Sequence, residues 1–206
     1  MVLPNATLFP QAFLPLHIFE PRYRRMLDDA LDTHRMFAIA RPKPGRRRDI
    51  PCAVAGLGLV RASVTAPDGT SNLILEGLAR VELTRAVRTR PYRVHRLRPL
   101  SSTVHNEQAA DALAARLLEL VAKHLTQPAH RGESVSIQQA GPQDLQKETS
   151  FITRLDSPAQ VADLVSWTLL TDSDERQTLL ETLNVESRLR RLIQFLLAAS
   201  AGPKSN

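Results

Sequence analysis

LPLHIFEPRYRRMLDDAL, residues 14–31, decides the fold of this 206-residue chain. His17, Glu20, Arg22 and Tyr23 crowd into it, and enzymes and metal sites favour those residue types. Periodicity gives a different reading. Leu14, Leu16 and Ile18 alternate with Pro15, His17 and Phe19, the two-residue period of a half-buried strand. Pro15 has no N–H for a sheet ladder, so an edge strand or a bend is expected. At Glu20-Pro21 the period changes. Tyr23, Met26, Leu27, Ala30 and Leu31 recur at i, i+3, i+4, i+7 and i+8, one apolar face of a helix. Pro21 suits the first helical turn, where an N–H has no helical partner, and the helix dipole favours the Glu20 carboxylate there. On this reading His17 is a strand histidine, held by a hydrogen bond or partly exposed. Glu20 with Arg22 or Arg25 is a local charge pair. The stretch is a strand turning into a helix.

Outward from this joint, residues 1–100 read as β-rich with one helix. Met36–Ala40 forms a strand, and RPKPGRRRD (41–49) an exposed loop. Residues 52–64 and 72–83 form strands around the turn signal APDGT at 66–70, and another strand lies over Tyr92–Leu97. Gly56, Gly58 and Gly77 mark bulges or tight bends. Residues 101–206 read as helical. A long helix, 107–127, carries Leu113, Leu117, Leu120, Val121 and Leu125, and a polar loop, 128–156, follows. Helices then fill 158–199. Ser157-Pro158 with Gln160 starts the first, which has Val161, Leu164, Val165, Thr168 and Leu169 on one face. Asp172 and Glu175 start a second before Leu179, Leu180 and Leu183. Asn184 caps a third carrying Leu189, Leu192, Ile193, Leu196 and Leu197. The expected fold class is α+β, a β-rich subdomain followed by a helical bundle.

Composition narrows the functions. A 43% hydrophobic content supports a buried core. The single cysteine, Cys52, excludes an internal disulfide and a cysteine zinc cluster, and in PCAVAGLGLV it reads as a small buried side chain. There is no apolar run of about 18 residues and no signal-peptide pattern, so a soluble cytoplasmic protein without a membrane partner is expected. None of the six histidines forms an H-x-x-x-H or H-x-x-E-H pattern, and no G-x-x-x-x-G-K-[ST] loop is present. AGPKS at 201–205 reads as a frayed polar tail, not a serine–lysine catalytic pair. Trp167, at helical spacing, reads as core. No catalytic residue, metal or cofactor is expected.

Charge is unevenly placed. Residues 1–100 hold 17 Lys and Arg against 8 Asp and Glu, and residues 101–206 hold 10 against 13. Seven arginines fall between 80 and 98, opposed only by Glu82. With Arg46, Arg47 and Arg48 they offer a phosphate-facing patch, in which Arg85, Arg88, Arg90, Arg93 and Arg96 are the candidate nucleic-acid contacts. The opposing reading is a solvated face, because 23 of the 27 basic residues in the whole chain are arginine. Tyr92 is the one aromatic near this cluster available for base stacking.

Three stretches resemble one family. LFPQAFLPLHIFEPRYRRMLDDAL is similar to the opening signature of the Lon N-terminal domain, the substrate-binding domain of the ATP-dependent Lon protease. GLGLVRASVTAPDGTSNLILEGLARVEL, continued by PYRVHRLRPL, resembles that family's paired strands, with G-x-x-R at Gly77 to Arg80. SPAQVADLVSWTLLTDSDERQTLLETLNVESRLRRLIQFL resembles its helical half. Gln11-Ala12 stands where the family often has a glycine pair, and Asn184 where it has an aspartate. The resemblance implies a twisted, partly closed PUA-like β-barrel or sheet followed by a helical bundle. It also implies a non-catalytic module that recognises unfolded or exposed protein segments, with full-length Lon, another protease or chaperone, or a second copy in a homodimer as further partners. PUA-like folds include RNA-binding members, which is the alternative for the arginine face. Phe13, Phe19 and Tyr92 are the candidate polypeptide contacts, expected near a cleft between the two halves.

Overall fold

A computed structural model describes residues 1–45, 50–126 and 157–200. The expected polar loop, Arg46–Arg48, and the 201–205 tail lie outside these residues. The elements run β1 (Phe13–Ile18), α1 (Pro21–Leu31), β2 (Met36–Ile39), β3 (Val54–Thr65), β4 (Ser71–Arg88), β5 (Val94–Leu100), α2 (Glu107–Thr126), α3 (Pro158–Leu169), α4 (Ser173–Glu181) and α5 (Val185–Ser200). The class is α+β, with the strands in the first hundred residues as the periodicity predicts.

β4 organises the sheet because it is long enough to serve two partners on one edge. β1 pairs antiparallel with Ser71–Glu76, and β5 with the stretch from Arg80 to Arg88. β3 covers the other edge, and β2 adds beyond it, so the order is β1-β4-β3-β2 and the sheet is open. Pro15 lies on an edge strand, where its missing N–H costs no ladder bond. The β3–β4 turn is the one expected. The Asp68 carboxylate accepts from the Thr70 N–H (2.9 Å) and hydroxyl (2.8 Å), and Gly69 takes φ +78°.

Leu8 and Phe9, fully buried, cross beneath this sheet. Gly56 and Gly77 let them pass, since a Cβ at either would overlap the carbonyl of Leu8 or Phe9 respectively. The ladder of β3 against β4 also shifts register at Leu57/Gly58 and at Val60/Ala62. α1 closes the core with Tyr23, Met26, Leu27 and Ala30, as its spacing predicts. The Tyr23 hydroxyl donates to the Val2 carbonyl at 3.2 Å, tying the first residues to the helix.

The helical half starts where the capping residues indicate. Ser157 accepts from the Gln160 N–H (3.4 Å) with Pro158 in the first turn, Asp172 accepts from the Asp174 and Glu175 N–H groups, and Asn184 accepts from Ser187 N–H (2.8 Å). The buried face of α3 differs from the expected one. Val161, Ala162, Asp163, Val165 and Ser166 point inward, while Thr168 is exposed and returns its hydroxyl to the Leu164 carbonyl. The reason is Asp163, whose charge has partners inside. Trp167 is half-buried against the core, with Arg176 stacked on its ring. One apolar cluster contains Leu8, Phe9 and Leu75 from the sheet half and Val161, Leu179, Leu189 and Leu192 from the helices.

Candidate functional site

Three features of the structure bear on function: a buried ion cluster at the junction of the halves, an apolar outer sheet face, and a groove under the β4–β5 hairpin. In the first, Arg80 of β4 holds Asp163 of α3 with both terminal nitrogens, at 2.7 and 2.5 Å, and Arg188 of α5 adds a third bond at 3.0 Å. All three side chains are almost inaccessible, so water does not share their charge. The arginines also finish α4. Arg80 donates to the Leu180 carbonyl, and Arg188 to the Thr182 and Leu183 carbonyls. Cations suit these positions, because the last carbonyls of a helix lack partners and carry its negative dipole end. Burial lowers the Arg188 pKa to about 10, with Asp163 opposing that fall. Arg41 and Gln177 make two further ties. Arg41 donates to the Ser173 carbonyl and Asp174 carboxylate, and Gln177 to the Val54 carbonyl. This junction is therefore cemented. A recess of about 240 Å³ remains over Arg80 and Asp163, and Phe13, Phe19 and Tyr92 do not line it, contrary to the expected cleft.

The second feature is the face of the sheet turned to solvent. Along β1 the residues of one parity, Phe13, Pro15 and His17, are exposed, and Phe19 continues them just past the strand. Their registered neighbours across the sheet are Glu76, Ile74 and Asn72, then Ala62 and Val64 on β3. Phe13 is 55% exposed, Phe19 61% and Val64 71%, values that leave large apolar side chains facing water. A shallow depression of about 490 Å³ lies between Pro15, Ile74, Ala62 and Val64. Four polar side chains on this face pair with one another. His17 Nδ1 lies 2.9 Å from Asn72 Oδ1 and its ring stacks on Phe19, while Arg61 pairs with Glu76.

The third feature, a groove of about 560 Å³, runs between α1, β2 and the β4–β5 hairpin. Tyr92 stands in it. Its hydroxyl donates to Asp29 at 2.5 Å, and the Arg88 guanidinium lies 4.6 Å from its ring centre. Burial and the Asp29 contact push the tyrosine pKa up. His95, also in the wall, is kept below the usual imidazole range by burial.

The structure thus separates the three candidate aromatics. Phe13 and Phe19 share the outer sheet face, and Tyr92 belongs to the groove. It also divides the arginines. Arg80 is buried in the ion cluster and so leaves the solvent patch, while Arg98 is exposed but pairs with Glu82. Arg85, Arg88, Arg90 and Arg96 are exposed on the hairpin, and Arg93 is half-buried. Glu20 pairs with Arg22 at 2.9 Å, the local charge pair expected for it. Cys52 is buried, and burial raises its thiol pKa. Among the described residues no three His, Cys, Asp or Glu side chains gather to hold a metal ion, and no helix is long and apolar enough to cross a membrane. Sequence reasoning passed over Asp163 and Arg188. The available signal was a lone acid inside VADLVSW and an arginine flanking an apolar helix face.

This arrangement, a sheet with α1 against it and a helical bundle fastened to β4, is the fold of Lon N-terminal domains. The N-terminal domain of Mycobacterium avium complex Lon protease superposes with a TM-score of 0.73 over 96% of both chains, at 16% identity. The Lon N-terminal domain protein from Xanthomonas campestris gives 0.64 over 94% of this chain and 96% of that one, at 20% identity. The chain belongs to the ATP-dependent protease La (LON) substrate-binding domain family, whose model matches residues 1–198. The Lon protease of Desulfosudis oleivorans is 24% identical over 202 residues, and Lon protease 1 of Thermus thermophilus 28% over 207 residues. Those alignments take in 95% of this chain, which spans only 23–24% of the relatives' length. Family membership makes the chain a substrate-recognition module of the Lon type.

Proposed function

We propose that the chain binds unfolded or exposed polypeptide segments on the outer face of β1, β4 and β3, without nucleotide turnover or proteolysis of its own. The observation that carries this reading is the set of large apolar side chains left in water on one face, Phe13, Phe19 and Val64, together with the depression between Pro15, Ile74, Ala62 and Val64. Apolar surface removed from water on both partners supplies the drive, and a shallow face tolerates varied sequences. In this proposal the captured segment passes to a protease or chaperone partner in the cytoplasm, full-length Lon among them.

Fluorescence anisotropy with a labelled, permanently unfolded apolar polypeptide tests it. The double variant Phe13→Ser/Phe19→Ser weakens binding about tenfold or more, since burying one phenylalanine contributes about 1.5–3 kcal/mol and 1.4 kcal/mol is tenfold. Circular dichroism of the variant stays unchanged, because both residues are outside the core. Unaltered affinity would refute this site.

A further inference from the structure

We propose that the hairpin groove is a second binding site, independent of the outer sheet face, for a polypeptide segment whose apolar side chains are bordered by carboxylates. Its walls are Met26 of α1, Phe37 of β2, Leu83 and Val87 of β4, Leu97 of β5, and Tyr92. Val87 and Leu97 are 62% and 42% exposed, so this apolar surface is open to a ligand. The groove's volume falls within the ~300–1,000 Å³ typical of binding pockets. The three methionines in the lining, Met1, Met26 and Met36, are side chains that repack around different shapes.

Charge selects the occupant. Asp29 is the one carboxylate in the lining, and it is already taken by the Tyr92 hydroxyl at 2.5 Å and Arg25 at 3.1 Å. The surroundings are cationic. Between Glu82 and Glu107 the sequence has no acidic residue, while Arg85, Arg88, Arg90, Arg93 and Arg96 lie on the hairpin. Arg85, Arg90 and Arg96 are exposed and have no ion-pair partner among the described residues. Arg88 and Arg93 stand in the groove wall, and the unanswered guanidinium groups lie elsewhere on the same hairpin. An apolar trough on so cationic a hairpin complements aliphatic side chains next to Asp or Glu, which guanidinium binds in fork geometry. It does not complement single-stranded RNA equally well. Base recognition needs free aromatic faces. Here Arg88 already covers Tyr92, and Phe37 is buried.

The test uses the purified chain and three labelled probes in an anisotropy titration. These are a short peptide with leucines bordered by glutamates, the same peptide with lysines for the glutamates, and an oligouridylate. The acidic peptide binds at least tenfold tighter than the lysine peptide, and its affinity falls with added salt. Val87→Asp, at an exposed position that leaves the core intact, weakens it about tenfold. Arg85→Glu/Arg90→Glu does the same, whereas Phe13→Ser/Phe19→Ser leaves it unchanged. The proposal is overturned if the acidic peptide does not bind, if the lysine peptide or the RNA binds as well, or if Val87→Asp has no effect. Loss of acidic-peptide binding in the Phe13/Phe19 variant would also overturn it, by assigning that binding to the sheet face. The outcome for the sheet face itself is read separately with the apolar polypeptide.

Discussion

Replacing Asp163 by Asn keeps the shape of the junction and removes its one negative charge. Arg80 and Arg188 would then face each other across a neutral amide, with 3% and 0% of their surface open to water. Three charge-assisted bonds are lost at once, those now made by Arg80 at 2.7 and 2.5 Å and by Arg188 at 3.0 Å. Breaking a buried ion pair from one side costs about 3–5 kcal/mol, because the remaining charge is left without a counterion. A domain of this kind has only about 5–15 kcal/mol of stability in total. At about 2–4 °C per kcal/mol for a chain of this size, the melting temperature falls by about 6–20 °C. Urea titration followed by far-ultraviolet circular dichroism and by fluorescence of Trp167, the single tryptophan, reads the change both globally and on α3. A loss below about 1 kcal/mol, the range of a solvent-exposed ion pair, would refute the buried-cluster reasoning. Exchanging the whole trio for Arg80→Met, Asp163→Leu and Arg188→Met removes the unpaired charge. It still leaves the Leu180 and Thr182 carbonyls without donors, so this variant remains less stable than the natural chain.

Two further predictions concern stability. Glu186 accepts from its own N–H and from those of Asn106 and His105, with the Asn184 amide adding a fourth donor, and its pKa falls to about 2. The folded value lies below the unfolded one, so this stabilisation is complete above about pH 4.5 and is lost as pH drops towards 2. Urea midpoints of the natural chain and Glu186→Gln, measured from pH 6 to pH 2, should therefore converge on acidification; a constant gap would reject the assignment. Gln11 takes φ +65°, a left-handed conformation that costs a residue with a Cβ about 1 kcal/mol or more. Gln11→Gly should raise the melting temperature by about 2–4 °C in calorimetry, and a decrease would show that the Gln11 side chain offsets the strain.

The strand-to-helix joint at residues 14–31 was legible because everything that builds it is local. Alternation, a proline at the helix start and an i, i+4 stripe follow from backbone geometry alone. Caps at Ser157, Asp172 and Asn184 were legible for the same reason. The ion cluster was not. Arg80 meets Asp163 across 83 residues, and in the sequence it merely begins a run of arginines. The inward face of α3 was misjudged as a consequence. A charged residue counts as surface in a periodicity argument until its partner is known, and that partner lies on another element. For the candidate site, alternation places Phe13, Pro15, His17 and Phe19 on one side of β1. Which side faces water depends on where α1 and Leu8–Phe9 pack. Tyr92 shows the same limit, since its position in a groove follows from Asp29 on a helix 63 residues away.

β4 carries residues of both proposed surfaces, Ile74 near one end and Val87 near the other. Thirteen residues separate them, at most about 43 Å along a strand rising about 3.3 Å per residue. The strand thereby acts as a ruler. Short peptides can occupy one surface only, and a single extended chain reaching both along that path needs about 13 residues of its own. Past that length the second contact becomes intramolecular, and affinity would climb with substrate length in a step instead of a gradual slope.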